Sequence, residues 1–273
     1  MQIISIDTIP FNTFSYKCVG SRRDSNYDGS RIIKDVYLPI HQGFFNWKSQ
    51  DIDALIIASD LQGNLENNGE SKLLGEQIAE YLRNLFEKEF NISPNRVGVI
   101  LAGDLYATLH KRGGYGDVRQ VYINFRNNFK WVVGVNGNHD KIGITKLDET
   151  RFKQQENIFI LHKTTKLIDG LQISGISGII GNILKPNRVD ECDYLSSLKK
   201  MLADKPDIMI LHETPDYEFD NFKGNIEITK TIENSPPNLI ISGHKFWNEP
   251  LREYKNGSQV LNVNARVVIL IQQ

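Results

Sequence analysis

Cysteine is nearly absent from this chain, with Cys18 and Cys192 the two it has in 273 residues. Two thiols so far apart build neither a cysteine-ligated metal cluster nor a disulfide framework, so both read as reduced and structural, which suits a cytoplasmic protein. No stretch approaches the roughly 20 consecutive apolar residues that a membrane-spanning helix needs. The opening MQIISIDTIPFN lacks a basic start and a long apolar core, so no signal peptide is expected. Charge of one sign is missing too. A formal net charge of −1 implies no affinity for nucleic acid or an anionic membrane. Internal repeats, low-complexity tracts and long linkers are also lacking. A composition of 40% hydrophobic and 24% charged residues leaves an ordinary soluble globular chain with a substantial core, arranged as one large α/β domain or two smaller ones.

The chain divides by character near residue 50. Residues 1–50 carry candidate strands at 1–10 and 32–40, a polar, turn-rich stretch that includes Arg22 and Arg23, and an aromatic segment, HQGFFNWK, suited to capping an edge of the core. They read as an extension packed on a main domain of residues 51–273. In that domain apolar runs predict buried strands at 53–59, 97–102, 131–135, 208–211 and 239–242. Further strands are expected at 158–162, 167–179, 259–263 and 266–271. Leu74, Ile78, Tyr81, Leu82 and Leu85 recur at helical spacing, which predicts a helix over 70–90, with others over 118–125 and 190–202.

The polar residues just past the buried runs carry the functional signal. The runs end in Asp60, Asp104, Asn138, His212 and His244, a carboxylate, amide or imidazole each time. In open α/β sheets ligands sit beyond the carboxyl ends of the strands, so these side chains converge on one edge. The densest of the segments is Gly137-Asn138-His139-Asp140. Asn supplies a neutral oxygen donor, His a proton carrier near neutral pH, and Asp a carboxylate able to hold an imidazole in one orientation. A turn that merely favours Asn, Gly and Asp is the bland reading of that segment alone, but not of the whole set. Oxygen and imidazole donors without thiols suit manganese or iron, with zinc or magnesium as alternatives. Two such ions about 3.5–4 Å apart can activate a shared water and clamp a phosphoryl group.

The ordered segments Asp60-Leu61-Gln62, Gly103-Asp104, Gly137-Asn138-His139-Asp140, His212 in ILHETP, and Gly243-His244-Lys245-Phe246 resemble the calcineurin-like metallophosphoesterase family across residues 54–246. The resemblance implies a four-layer α/β/β/α sandwich and a metal-dependent phosphoric ester hydrolase, acting on a mono- or diester through metal-activated water. It implies Asp104, Asn138, His212 and His244 as ligands of one metal, and Asp104 as the bridge to a second that Asp60 also holds. His139 would assist the leaving group, with Asp140 orienting its ring. The family's first-block His is Gln62 here, and its last His is Phe246. Gln62 could lend an amide oxygen, a weaker ligand than imidazole, and Phe246 none. The expectation is therefore one firm metal and a second that is weak, oxygen-rich or absent. A single cation neutralises less charge, which tilts the substrate toward a diester. Of the other histidines, His110 lies near enough in sequence to Asp104 to be weighed as a ligand, whereas His41 and His162 read as structural or surface residues. Arg112, in KRGGYG, is a candidate for binding substrate phosphate, its bland alternative being a connecting loop. The competing reading of the whole chain is a degenerate relative that keeps the fold as a binding scaffold.

Overall fold

The computed structural model describes residues 1–20, 32–47, 50–67, 70–111, 113–217 and 223–273, and it is a mixed α/β structure. Among these residues two large sheets are formed. The larger has ten strands, running Ile158–Ile160, Trp131–Gly134, Val97–Leu101, Ala54–Ser59, Arg266–Gln272, Ile33–Phe45, Asn12–Val19, Asn64–Asn67 and Glu70–Leu73, with Ile3–Ile6 added antiparallel to Ile33–Phe45. The smaller runs Thr164–Ile168, Leu171–Ile176, Ile208–Leu211, Leu239–Ser242, Gln259–Asn262 and Leu251–Glu253. The uninterrupted apolar runs form the parallel interior of each sheet, where both faces are covered. Every residue of Ala54–Ser59, Val97–Leu101, Ile208–Leu211 and Leu239–Ser242 is buried.

Alternation along these strands sends successive side chains to opposite faces. Ala54, Ile56 and Ala58 meet Leu74, Ile78 and Leu82 of the helix Leu74–Leu85 and Val121 and Phe125 of the helix Arg119–Asn128. Leu55 and Ile57 face the second sheet, where Ile173, Ile208, Ile210, Leu239 and Ile241 meet them. On the far side of that sheet Met209, Leu211 and Ile240 pack under Tyr194, Leu198 and Leu202 of the helix Glu191–Ala203 and Ile228 and Ile232 of Ile226–Glu233. At roughly 25 cal/mol per Å² of apolar surface, burial on these faces is the dominant favourable contribution to the fold.

The structure departs from several sequence expectations. Residues 70–73 do not open the helix. They pair antiparallel with Asn64–Asn67, and the helix starts at Leu74, where the Glu76 carboxylate accepts the Leu73 amide. Past Leu85 the helix widens into a π turn, Phe86–Phe90, ending at Asn91 in a left-handed conformation with φ 52°. The single strand expected at 167–179 is a hairpin of Thr164–Ile168 and Leu171–Ile176. It turns at Asp169 and Gly170, both with positive φ (48° and 84°), as a type I′ turn requires. The helices Lys146–Phe152 and Ile226–Glu233 have only 7 and 8 residues, and the strand Asn12–Val19 lacks a continuous apolar run, so local patterning does not predict them. The strand expected at 32–40 extends to Phe45 and lies parallel to Arg266–Gln272, within the larger sheet.

Candidate metal centre

Each donor sits where a buried strand ends. Asp60 follows Ala54–Ser59, Asp104 lies just beyond Val97–Leu101, His212 follows Ile208–Leu211, and His244 follows Leu239–Ser242. Three of them occupy the left-handed region that non-glycine residues avoid, with φ 54° at Asp60, 53° at Asp104 and 67° at His244. Residues held in that region cluster at functional sites, where surrounding contacts fix them. The contacts are visible here. Asp60 Oδ2 accepts the Ser59 hydroxyl at 2.7 Å and the His244 amide at 2.9 Å. A side chain on Gly243 would come within 2.1 Å of Ser59 Oγ and 2.7 Å of Asp60 Oδ2, so only glycine lets these two strand ends approach. Gly137 does the same for the other pair, since a Cβ there would stand 2.1 Å from Asp104 Oδ1.

The donor atoms of Asp104, His212 and His244 lie within 4.8 Å of one another. His212 is fully buried, and its Nδ1 donates to the Ala102 carbonyl at 2.7 Å. That bond commits Nδ1 and leaves Nε2 as the nitrogen that would lend its lone pair to a metal in place of the Asp104 contact. His212 Nε2 is buried with only the Asp104 carboxylate beside it, at 3.3 Å, and Asn138 Oδ1 is buried without a hydrogen-bond partner. Orphaned buried donors and acceptors of this kind are rare, and an ion is one of the few things that satisfies them. The electrostatics agree. Burial pushes the Asp60 carboxyl up to about 6, and the nearby Asp104 charge adds to the rise. At Asp104 burial also pushes upward, but the His212 charge and hydrogen bond outweigh it and hold the carboxyl at about 2. Burial would lower the His212 pKa, yet Asp104 at 3.3 Å and then Asp60 raise it. His244 falls to about 3, through burial first and then the neighbouring His212 charge, so it keeps a neutral, lone-pair-bearing ring. Two buried carboxylates therefore favour positive charge among them, and a divalent cation fits that demand with these donors.

His139 stands beside this cluster. Its amide donates to Asp104 Oδ1 at 2.9 Å, and its Nε2 lies 3.9 Å from Asp104 Oδ2. The hydrogen bond expected from the His139 ring to the Asp140 carboxylate is not made. His139 Nδ1 donates to the Gly114 carbonyl at 2.6 Å instead, and the glycines there let that loop come close. Asp140 is turned into the backbone, where its carboxylate accepts the amides of Asp104, Leu105 and Gly137, each at 2.7 Å, and of Tyr106 at 3.2 Å. Asn187 braces the same turn by donating to the carbonyls of Gly137 and Asp140. Nothing in the sequence marks Asn187 or Gly114 for these roles, because both act from distant loops.

The remaining candidates are dispersed. Gln62 directs its Nε2 to Asp104 Oδ2 at 3.3 Å, donating to the carboxylate. Phe246 is 52% exposed, and the buried Arg266 guanidinium lies 4.6 Å from its ring centroid. His110 is exposed and outside the donor group, and His41 is buried with Nδ1 on the Asp7 carbonyl. Arg112 and the Arg22–Arg23 pair lie outside the described residues. No helix among the described residues is long and apolar enough to cross a membrane.

Aspartate, asparagine and histidine gathered beyond the carboxyl ends of two packed sheets place the chain among the α/β phosphoesterases. The chain belongs to the calcineurin-like phosphoesterase family, whose model matches residues 54–246. Membership implies a divalent metal and a phosphoester substrate. No curated protein matches the chain. Among solved structures, the phosphopantetheinyl hydrolase of Mycobacterium tuberculosis is similar, at 11% identity and a TM-score of 0.45, over 78% of this chain and 90% of that one.

Proposed function

We propose that the protein hydrolyses a phosphate mono- or diester with a divalent metal, manganese or iron foremost, held by Asp104, Asn138, His212 and His244. The observation that carries this reading is the cluster of Asp104, His212 and His244 donor atoms, all within 4.8 Å of one another, with Asn138 Oδ1 buried and unpartnered on the turn whose flanking residues touch Asp104. Bound there, a divalent cation would supply Lewis acidity, lowering the pKa of a water and neutralising phosphoryl charge. The chain's own residues do the rest. Asp104 and Asp60 concentrate negative charge, Ala102 sets the His212 tautomer, and Gly114 pins His139 Nδ1 so that Nε2 is the atom that delivers a proton to the leaving oxygen. Asp140 acts as a positioning residue through the backbone of the Asp104 and Asn138 turns. Gln62 fills the corner next to Asp104 with a hydrogen-bond donor, which supports one firm metal position and a second that is weak or absent. In this reading residues 51–273 are the phosphoesterase domain, and residues 1–50 extend it by adding strands to its larger sheet. The three buried clusters support the four-layer α/β/β/α order.

Metal stoichiometry tests the proposal without knowledge of the substrate. Chelator-stripped protein titrated with manganese should bind close to one equivalent tightly, and His212→Ala or His244→Ala should abolish that binding. The Gln62→His, Phe246→His double variant should raise the stoichiometry toward two. Absence of binding at millimolar manganese would overturn the catalytic reading and leave the fold as a scaffold for a partner.

A further inference from the structure

Beside the metal cluster lies a cleft of about 570 Å³, within the range of small-molecule sites. Asp60, Gln62 and His244 form one side of it, so it is continuous with the proposed reaction centre on which this inference rests. Its other wall comes from outside the family-matched segment. The strands Asn12–Val19 and Ile33–Phe45 pair antiparallel with Cys18 opposite Lys34 and Tyr16 opposite Val36. Two-residue alternation puts Tyr16 and Cys18 on one face, and the cross-strand pairing adds Lys34 to it. All three line the cleft.

This wall is locked to the site. The Tyr16 ring packs so closely on Gly63 that a Cβ there would lie 2.0 Å from it, and Gly63 directly follows Gln62. Lys17 pairs with Asn64 in the sheet and with Glu66 through an ion pair of 3.2 Å. Phe246 also lines the cleft. It is half exposed, with the Arg266 guanidinium over its ring at 4.6 Å from the centroid. Where a related chain would place a ligating histidine, this one presents an aromatic face. Lys34 and Lys111, both exposed, bring positive charge to the same cleft.

We infer that this cleft is the subsite for a planar ring carried by the phosphoester, with Phe246 as the stacking platform and the hairpin face of Tyr16, Cys18 and Lys34 as the specificity wall. Substrates are thereby aryl or heteroaryl phosphoesters rather than simple alkyl ones. Calorimetry with the full-length, manganese-loaded protein tests this with two phosphonates that present the same anion to the metal. Phenylphosphonate should bind about tenfold tighter than methylphosphonate, the increment of one good aromatic contact plus its burial. That ratio should fall to near one in Phe246→Ala, and independently in Cys18→Trp, which fills the cleft from the hairpin side. Equal affinities in the native protein, or a ratio that survives both substitutions, would refute the subsite and leave the phosphoesterase reading standing. Failure of both phosphonates to bind would overturn that reading and the subsite together.

Discussion

Asp140→Asn separates two roles for the residue after His139. If Asp140 oriented the His139 ring, the substitution would reduce turnover and leave stability intact. The geometry predicts the reverse emphasis. One carboxylate oxygen accepts the amides of Asp104 and Gly137, and the other those of Leu105 and Tyr106, with the side chain only 1% exposed. Asparagine keeps one oxygen and replaces the other with an amide nitrogen that faces two N–H donors. Two buried amides then lose their acceptor, at about 1–3 kcal/mol each, so the variant should be less stable by about 2–6 kcal/mol. That is a large share of the ~5–15 kcal/mol that holds a typical domain folded. Because the same amides fix Asp104 and the Asn138 turn, manganese affinity should fall in parallel. Urea unfolding of the metal-free protein should show a lower midpoint with an unchanged slope. An unchanged midpoint with lost turnover would refute the backbone role and restore the ring-orienting one.

The same geometry predicts the outcome of other perturbations. His139→Ala should leave manganese binding in place and slow hydrolysis of esters with poor leaving groups by about 10²–10⁴, less for activated aryl esters; a uniform small loss on all substrates would deny it the acid role. Gly243→Ala forces a methyl into Ser59 and Asp60, and should cost about 1–3 kcal/mol in thermal or urea unfolding while weakening metal binding. At Asp117 burial raises the carboxyl pKa, but the Arg119 guanidinium and the amides of Arg119 and Gly143 outweigh it and hold it below 3.8. A depressed folded pKa gives stability that is present above 3.8 and lost as pH falls through the lower folded value. Asp117→Asn should therefore unfold earlier than the native protein at neutral pH, by less than about 1 kcal/mol for so exposed a pair, and the difference should vanish in acid. A difference that persists undiminished in acid would point to a packing effect instead.

The chain by itself determined the buried strands and the polar residues at their ends. An apolar run such as ALIIAS or IMIL has one stable place, in the covered interior of a sheet, and the polar residue after it must emerge at the strand end. Asp60, Asp104, Asn138, His212 and His244 were legible for that reason, and so was the family, since its segments keep their order. Helix lengths and the Asp169-Gly170 hairpin were less legible, because local patterning does not show which ladder competes for the backbone. The tertiary structure alone decided the long-range partners. It brought the Gly114 carbonyl to His139, turned Asp140 from the ring to four backbone amides, and set Gln62 Nε2 against Asp104. It also brought the hairpin of Tyr16, Cys18 and Lys34 to the cleft that Phe246 lines, more than 200 residues away in the sequence. Hydrogen bonds and close approaches between distant loops depend on how the strands are ordered in the sheets, and no spacing within a single segment encodes that order.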